Sequence, residues 1–295
     1  MLSRHQIRIK LFHCLFAQNV NDNLDKEWKN CFDSYSKLYQ FVLKILIYLK
    51  KRAEKEIQLG LQKKQPKQSD LNPNKSFINN IILSKLEKEL INENFNDEHI
   101  ILICKNIFSI VKEKKYYINY MNIKKNEIDN DIKILINILK NDILTNTDII
   151  DVFEEKSIYW NDDISSAFNS FVYKTSQLKK LNQKTSLIKL DTFKNKSDKE
   201  FAKTLYSKTI KNKDKVNTII LKIAANWDID RISKSDLALL QLAITEITDF
   251  EDIPNKVTIN EYIKISKEYC SKKSFEFING ILDSYIKSNY NISNK

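Results

Sequence analysis

Residues 226–283 read NWDIDRISKSDLALLQLAITEITDFEDIPNKVTINEYIKISKEYCSKKSFEFINGILD. This stretch predicts three helix starts. Ser233 is followed three residues later by Asp236, a capping box with a short acid, and Thr258 with Glu261 forms a second box. A third helix is predicted through FEFINGILD, where apolar residues recur every three to four positions. Together these patterns predict a compact helical unit.

The composition favours helices throughout the chain. Only 2 of the 295 residues are glycine and 3 are proline, whereas sheets and Gly-rich ligand loops need residues that tolerate positive φ. A phosphate-cradling loop or a dinucleotide fingerprint is disfavoured for the same reason, because each requires clustered glycines. We therefore predict an all-α fold.

The sequence disfavours metal, disulfide and membrane chemistry. The 4 cysteines are far apart, no CxxC pair occurs, and the 3 histidines lack HExxH spacing, so we expect reduced, mostly buried thiols and no metal site. No apolar run reaches the ~18–20 residues of a membrane span. The N-terminus lacks the separate basic and apolar blocks of a signal peptide. We expect a cytoplasmic protein without a cofactor.

The net charge of +11 suits a polyanionic partner. The first helix contributes three cations, Arg4, Arg8 and Lys10, and no acid. Arg4 and Arg8 lie one helical turn apart, with His5 beside them. An ordinary explanation stays open, because lysines along helices usually form a solvated face and arginine side chains often lie over a helix surface without a ligand.

Helical patterns also precede the opening stretch. Residues 34–59 predict a long helix, and the polar residues 182–196 predict a linker. Ser197 and Glu200 form a further capping box. The apolar face of a later helix ends near Trp227, which we interpret as a core residue.

A resemblance to the NusB family of transcription antitermination factors runs from residue 198 to residue 286. It rests on the segments DKEFAKTLYSKTIKNKDKVNTII, NWDIDRIS, SDLALLQLAITEI, PNKVTINEYIKISKEY and FINGILD. The first helix, SRHQIRIKLFHCLFAQ, resembles the basic N-terminal helix of the same family. The intervening residues 20–197 are far longer than the link in short bacterial members and resemble the enlarged Bacteroidetes-type form.

The resemblance implies an all-α fold of two small helical subdomains with a large helical insertion. It divides the chain into an N-terminal helix (1–19), an insertion (20–197), a helical core (198–286) and a tail (287–295). It also implies a protein that is not an enzyme. NusB proteins pair with the ribosomal protein NusE on boxA-type single-stranded RNA, join RNA polymerase through other Nus factors, and promote transcription of ribosomal RNA operons. Two alternatives stay open: a NusB-like module accessory to RNA modification, and a helical adaptor that binds no RNA.

The resemblance further implies two sets of site residues and no catalytic residue or metal ligand. The RNA set comprises Arg4, His5, Arg8, Lys10, Lys272, Lys273 and Phe277. The NusE set comprises Phe16 and Asp236. Lys272 and Lys273 stand where many members have acids, and this exchange should strengthen phosphate binding.

Several of these residues also have a structural explanation. Phe277 fits a core position equally well, and Asp236 equally serves its capping box. We interpret Gly280 as allowing close helix approach. Glu246 and Glu261 are interpreted as helix-face and capping residues rather than catalytic acids.

Overall fold

A computed structural model of the chain describes residues 1–18, 24–123, 127–180, 185–224 and 231–293. Trp227 lies outside the described residues. Within them the structure is helical, with one isolated parallel β-bridge between Leu2 and Phe193, and the all-α prediction is confirmed. The α-helices are α1 Arg4–Gln18, α2 Leu24–Leu61, α3 Gln68–Leu71, α4 Ile81–Glu89, α5 Glu98–Val111, α6 Lys115–Met121, α7 Ile128–Ile138, α8 Thr147–Lys156, α9 Ile164–Lys180, α10 Lys196–Lys211, α11 Lys213–Ile223, α12 Lys234–Asp249, α13 Asn255–Tyr269 and α14 Ser274–Ser293. A π-helical turn, Leu139–Ile143, continues α7, and a 3-10 turn, Asn161–Asp163, precedes α9.

The chain divides into two compact units. Unit 1 contains Met1 and residues 33–192, and unit 2 contains residues 2–32 and 193–295. Helix α2 contributes its first residues to unit 2 and the remainder to unit 1. Unit 2 therefore combines the N-terminal helix with the C-terminal third of the chain.

Unit 1 packs around the second part of α2. Its hydrophobic core joins residues of α2, such as Tyr39 and Leu43, to Phe108 of α5, Leu135 of α7 and Phe153 of α8. These side chains recur at helical spacing, so each helix buries one apolar face. Burial of apolar surface of this kind is the main source of folding free energy.

A buried polar cluster starts α4. The Asn80 side chain accepts hydrogen bonds from the N–H groups of Ile82 and Leu83, at 2.9 and 3.1 Å. The Asp131 carboxylate accepts from the Ile81 N–H at 2.7 Å and from the Tyr120 hydroxyl at 2.7 Å. Three of the N–H groups that a helix start leaves unpaired are thus satisfied by side chains.

Unit 2 is organised by α12, which contacts α1, α10, α11, α13 and α14. From Ala238 to Glu246 every residue of α12 is buried. A helix that is buried on all sides needs an apolar sequence, and LALLQLAITEI supplies one with few polar exceptions. Those exceptions, Gln241, Thr245 and Glu246, therefore need partners inside the protein.

The predicted helix starts had mixed outcomes. Ser233 caps α12 as predicted, since its hydroxyl accepts from the Asp236 N–H at 3.1 Å. The prediction for Thr258 is wrong, because α13 already begins at Asn255 after Pro254. Proline fixes φ near the value that precedes a helix and needs no N–H partner there.

The predicted start of α10 is also wrong. The capping residue is Asn195, whose side chain accepts from the Asp198 N–H at 2.8 Å. Ser197 lies inside the helix, where its hydroxyl accepts from Arg4 Nη2 at 3.3 Å. The pattern Ser-x-x-Glu alone did not distinguish this start from one two residues earlier.

Gly280 does not serve close helix packing, contrary to the interpretation above. It lies inside α14, it is exposed, and a Cβ added there would meet no atom within 4 Å. We therefore expect Gly280→Ala to raise the free energy of unfolding by about 0.5–1 kcal/mol, because glycine lowers helix propensity and loosens the unfolded chain. Urea denaturation followed by circular dichroism measures this difference.

Gly60 provides the matched control for Gly280. It also lies in a helix, α2, but a Cβ there would stand 3.0 Å from Asp70 Oδ1. The gain in helix propensity is then offset by this close contact, and Gly60→Ala should stabilise the chain less than Gly280→Ala. Equal effects of the two substitutions would contradict the packing difference.

Among the described residues, no helix combines the length and apolarity that crossing a membrane requires.

Candidate functional site

A buried ion pair between α1 and α12 lies at the centre of unit 2. Arg8 Nε donates to Glu246 Oε2 at 2.8 Å, and Arg8 Nη2 donates to Oε1 at 2.5 Å. The Thr258 hydroxyl and the Tyr262 hydroxyl, both on α13, donate to the same carboxylate at 2.9 and 3.0 Å. Arg8 is 3% exposed and Glu246 0%. Because a buried charge needs both a counter-charge and full hydrogen bonding, the pair fixes three helices in one arrangement.

The electrostatics of this pair keep Arg8 charged. Burial opposes the charged guanidinium, but the hydrogen bond to Glu246 and the charges around it outweigh burial and raise the pKa of Arg8 above its ordinary value. Burial, followed by the charge of Glu246, raises the pKa of Tyr262 well above its ordinary value. Tyr262 therefore remains a neutral hydrogen-bond donor at physiological pH.

The expectation that Arg8 and Lys10 face an RNA is corrected by their burial. Arg8 is enclosed by Glu246, and Lys10 is only 1% exposed. The physical reason is that α1 packs against both α10 and α12, so most of its surface is covered. Neither cation is presented to a phosphate in this structure.

His5 and Glu261 form a second polar pair at the edge of this network. His5 Nδ1 lies 2.7 Å from Glu261 Oε2, and Arg8 Nη1 lies 3.9 Å from the same oxygen. Glu261 is thus an ion-pair residue and not the second member of a capping box. Burial favours its neutral form, but the hydrogen bond and charge of His5, with the charges of Arg8 and Lys264, lower the pKa of Glu261 below its ordinary 4.5.

This lowered pKa predicts acid sensitivity of unit 2. As the pH falls, the unfolded chain protonates Glu261 first, so the stabilisation from its ionised form is present above about pH 4.5 and is lost as the pH falls through the lower pKa of the folded chain. We expect the free energy of unfolding to decline less steeply between about pH 5 and pH 3 in Glu261→Gln than in the wild type. Urea denaturation at a series of pH values measures this slope.

Glu268 is the matched control, because it is an exposed glutamate on the same helix. Glu268→Gln should keep the wild-type slope. A wild-type slope in Glu261→Gln would show that the His5–Glu261 pair contributes nothing to acid sensitivity.

Arg4, unlike Arg8, remains accessible. Its side chain is 43% exposed, although Nε donates to Asp198 Oδ1 at 3.0 Å. The guanidinium also lies over the Phe201 ring, 5.0 Å from its centroid. Arg4 is thus oriented by α10 while part of its surface still faces solvent.

The turn between α13 and α14 carries the second set of cations. Lys272 and Lys273 are both exposed, and Phe277 is half-buried in the first turn of α14. Lys267, in the last turn of α13, lies over the Phe275 ring at 4.9 Å. The turn and the helix ends beside it therefore carry three lysines and two phenylalanine rings within eleven residues.

The structure separates the two cation sets along parallel helices. His5, in the first turn of α1, pairs with Glu261 in the middle of α13. His13, eight residues further along α1, has its ring 5.2 Å from the ring of Tyr269, at the end of α13. Both contacts advance in the same direction along α1 and α13, so the helices run parallel. Eight residues of helix, from Glu261 to Tyr269, rise about 12 Å. Arg4 and the Lys272–Lys273 turn consequently lie at opposite ends of this helix pair.

The two residues predicted to face NusE have different environments. Phe16 is 41% exposed, and its ring lies 6.1 Å from Phe12, which itself contacts Tyr269. Asp236 is 8% exposed, and its Oδ1 has no hydrogen-bond partner among the described residues. Burial and the neighbouring Asp236 help to raise the pKa of the Cys270 thiol to about 11. Asp236 is therefore close to the turn that carries Lys272.

Sequence reasoning missed the role of Glu246. It was interpreted as a helix-face residue, yet it accepts hydrogen bonds from three side chains. The available signal was a charged residue within the apolar run LALLQLAITEI, together with Arg8 between Ile7 and Ile9. Opposite charges in two apolar stretches indicate a buried pair.

Comparison with known proteins relates the C-terminal part of the chain to a known family. The sequence model described as the NusB family matches residues 167–287. The "Transcription antitermination protein NusB" of Natranaerobius thermophilus is 44% identical over 89 residues, which cover 30% of this chain and 64% of the relative. The protein of that name from Clostridium botulinum is 50% identical over 76 residues, covering 26% and 57%, and that from Finegoldia magna is 42% identical over 99 residues, covering 34% and 72%. The comparison with solved structures found no significant match.

The fold and the site define an all-α protein with a C-terminal unit arranged around α12 and a buried arginine–glutamate pair. The comparisons make this more specific, and the chain belongs to the NusB family. It spans less than two thirds of the length of the first curated relatives, 64% and 57%. It is also an enlarged member, since 34% of this chain corresponds to 72% of the Finegoldia magna protein.

Proposed function

We propose that this protein is a transcription antitermination factor that binds boxA-type single-stranded RNA together with the ribosomal protein NusE. In this proposal the complex joins RNA polymerase through other Nus factors and promotes transcription of ribosomal RNA operons. The observation that carries the proposal is the 37–50% identity, over 26–34% of this chain, to proteins named for transcription antitermination.

The geometry of unit 2 supports an RNA-binding surface at the α13–α14 turn. Lys272 and Lys273 are exposed cations without an ion pair among the described residues, and Phe277 adds a partly accessible ring. Single-stranded RNA is bound by cations along its phosphates and by planar groups against its bases. Arg4 and His5 lie more than about 12 Å away along the helices, so they would contact a different phosphate of the same strand.

Phe16 and Asp236 remain the proposed contacts for NusE. The unpaired Asp236 Oδ1 is compatible with a donor supplied by a partner, because a buried carboxylate oxygen without a partner carries a desolvation cost. Arg8 and Lys10 are withdrawn from the RNA set, since their burial assigns them to the core.

The proposal is tested by titrating a labelled boxA-type RNA with the full chain, with and without NusE, over a series of salt concentrations. We expect NusE to tighten binding, and Lys272→Glu with Lys273→Glu to weaken it about tenfold. Loss of two phosphate contacts should also reduce the salt slope by about 1.4. Lys211→Glu with Lys215→Glu, a charge-matched pair of exposed lysines on α10 and α11, should have little effect.

Two outcomes would contradict the proposal. Equal losses in both double variants would remove the α13–α14 turn as the RNA surface. RNA affinity that is independent of NusE and nearly independent of salt would remove the antitermination assignment and favour a helical adaptor.

A further inference from the structure

Unit 1 contains a groove of about 690 Å³ between α2 and α5. Its α2 side runs from Tyr48 to Leu59, and its α5 side runs from Glu98 to Lys105. Phe95, from the loop before α5, lines one end. All of its lining residues lie between Tyr48 and Lys105, outside residues 167–287 that the family model matches, so the groove is independent of the RNA surface proposed for unit 2.

The charge of the groove is strongly positive. Its lining includes four cations, Lys51, Arg52, Lys55 and Lys105, against the single acid Glu98. Arg52 already pairs with Glu56 of α2 at 2.8 Å. Lys55 and Lys105 are exposed, and neither has an acid within 4.0 Å in the described part of the chain. Two cations therefore remain available to an acidic ligand.

The groove is also unusually apolar for a surface. Leu59 is 49% exposed, Ile101 42% and Leu102 55%. These three aliphatic side chains come from both walls, so one ligand could cover all of them. Exposed apolar patches rimmed by charged residues are typical of sites that bind another protein.

We propose that this groove binds an acidic amphipathic helix of a partner protein. The apolar face of that helix covers Leu59, Ile101 and Leu102, and its carboxylates pair with Lys55 and Lys105. The eleven-residue step from Tyr48 to Leu59 rises about 16 Å, which matches three turns of a bound helix. This is the helix-in-groove mode of recognition, in which anchors recur every three to four residues.

A nucleic acid fits the same groove less well. Base recognition without sequence preference depends on open aromatic faces, but Tyr48 is only 6% exposed and Lys51 Nζ lies over the Phe95 ring at 5.1 Å. Phosphates would pair with the lysines and leave the three aliphatic side chains in water. A helix that is both acidic and apolar satisfies both parts of the surface.

The test uses the full chain and a fluorescein-labelled, 18-residue helical peptide of Leu and Glu, with Leu recurring every three to four positions. Fluorescence anisotropy should show saturable binding that weakens about tenfold in Lys55→Glu with Lys105→Glu, as expected for two attractive charge pairs made repulsive. Leu59→Asn with Leu102→Asn should weaken it similarly. Lys75→Glu with Lys88→Glu, exposed lysines of unit 1 outside the groove lining, should bind as the wild type does.

The same titrations contain the results that would overturn the proposal. These results are no binding of the Leu–Glu peptide, equal losses in the groove and control variants, or tighter binding of a peptide with Lys in place of Glu. A labelled boxA-type RNA distinguishes nucleic acid from protein as the ligand. Its affinity should be the same for the wild type and for Lys55→Glu with Lys105→Glu, and a parallel loss would reassign the groove to nucleic acid. Unchanged circular dichroism confirms that the variants are folded.

Discussion

Replacing Arg8 with alanine should destabilise unit 2 by about 3–5 kcal/mol, which is a large part of the stability of an ordinary domain. The substitution leaves the fully buried carboxylate of Glu246 without its counter-charge. The hydroxyl groups of Thr258 and Tyr262 still donate to that carboxylate, but two neutral donors do not compensate a buried charge. Glu246→Ala should cost a similar amount, because it leaves the Arg8 guanidinium buried and unpaired.

Arg4 is the control, since it lies one turn earlier on the same helix. Its pair with Asp198 is 43% exposed on the arginine side, and exposed pairs contribute at most about 1 kcal/mol. Arg4→Ala should therefore cost far less than Arg8→Ala.

The double variant Arg8→Met with Glu246→Gln should be more stable than either alanine variant, because it removes both charges and keeps an acceptor for Thr258 or Tyr262.

Urea denaturation followed by circular dichroism measures these differences. Hydrogen exchange then shows which unit is destabilised. The amide protection should fall in α12 and α13 of unit 2 and persist in α5 of unit 1. If Arg8→Ala and Arg4→Ala cost the same, the buried pair does not hold unit 2 together.

The fold class was predictable because it depends on features that are local in sequence. Scarce glycine and proline, apolar residues at helical spacing, and the cap at Ser233 each indicate helices without reference to the rest of the chain. The same reasoning failed at Thr258, where Pro254 fixes an earlier start. It also failed at Ser197, where Asn195 is the better cap. A short polar motif is compatible with several helix starts, and the packing of the folded chain selects one of them.

The candidate site was harder to predict because exposure is a property of the packed protein. Arg4 and Arg8 look alike in sequence, yet one is accessible and the other is enclosed by Glu246, 238 residues away along the chain. Within α1 the local sign of this difference is the position of Arg8 between Ile7 and Ile9, and the partner that encloses Arg8 is far away in sequence. Lys272 and Lys273 were easier, because a turn between two helices is normally on the surface. The groove of unit 1 was missed entirely, since its cations and aliphatic residues come from separate helices.

The second large effect is expected in unit 1, at Asp131. Its carboxylate is fully buried and caps α4 through the Ile81 N–H, while it also accepts from Tyr120. Burial, followed by the hydrogen bond to Asp131, raises the pKa of Tyr120, which keeps that hydroxyl a donor. Asp131→Ala opens a small cavity and removes the acceptor of the Ile81 N–H. The Tyr120 hydroxyl loses its 2.7 Å acceptor and keeps only the Ser76 carbonyl oxygen, at 3.2 Å. We expect a loss of about 2–4 kcal/mol in unit 1.

Asp131→Asn separates the hydrogen bonds from the charge. The amide keeps one acceptor oxygen, which can serve the Ile81 N–H or the Tyr120 hydroxyl but not both with the original geometry. Its cost should therefore lie between those of the wild type and Asp131→Ala. Asp129→Ala, at an exposed position in the same turn of α7, should cost at most about 1 kcal/mol, because water screens the interactions of an exposed acid. Hydrogen exchange should show lost protection in α4 and unchanged protection in α12. A cost for Asp131→Ala as small as that for Asp129→Ala would mean that water replaces the carboxylate at the start of α4.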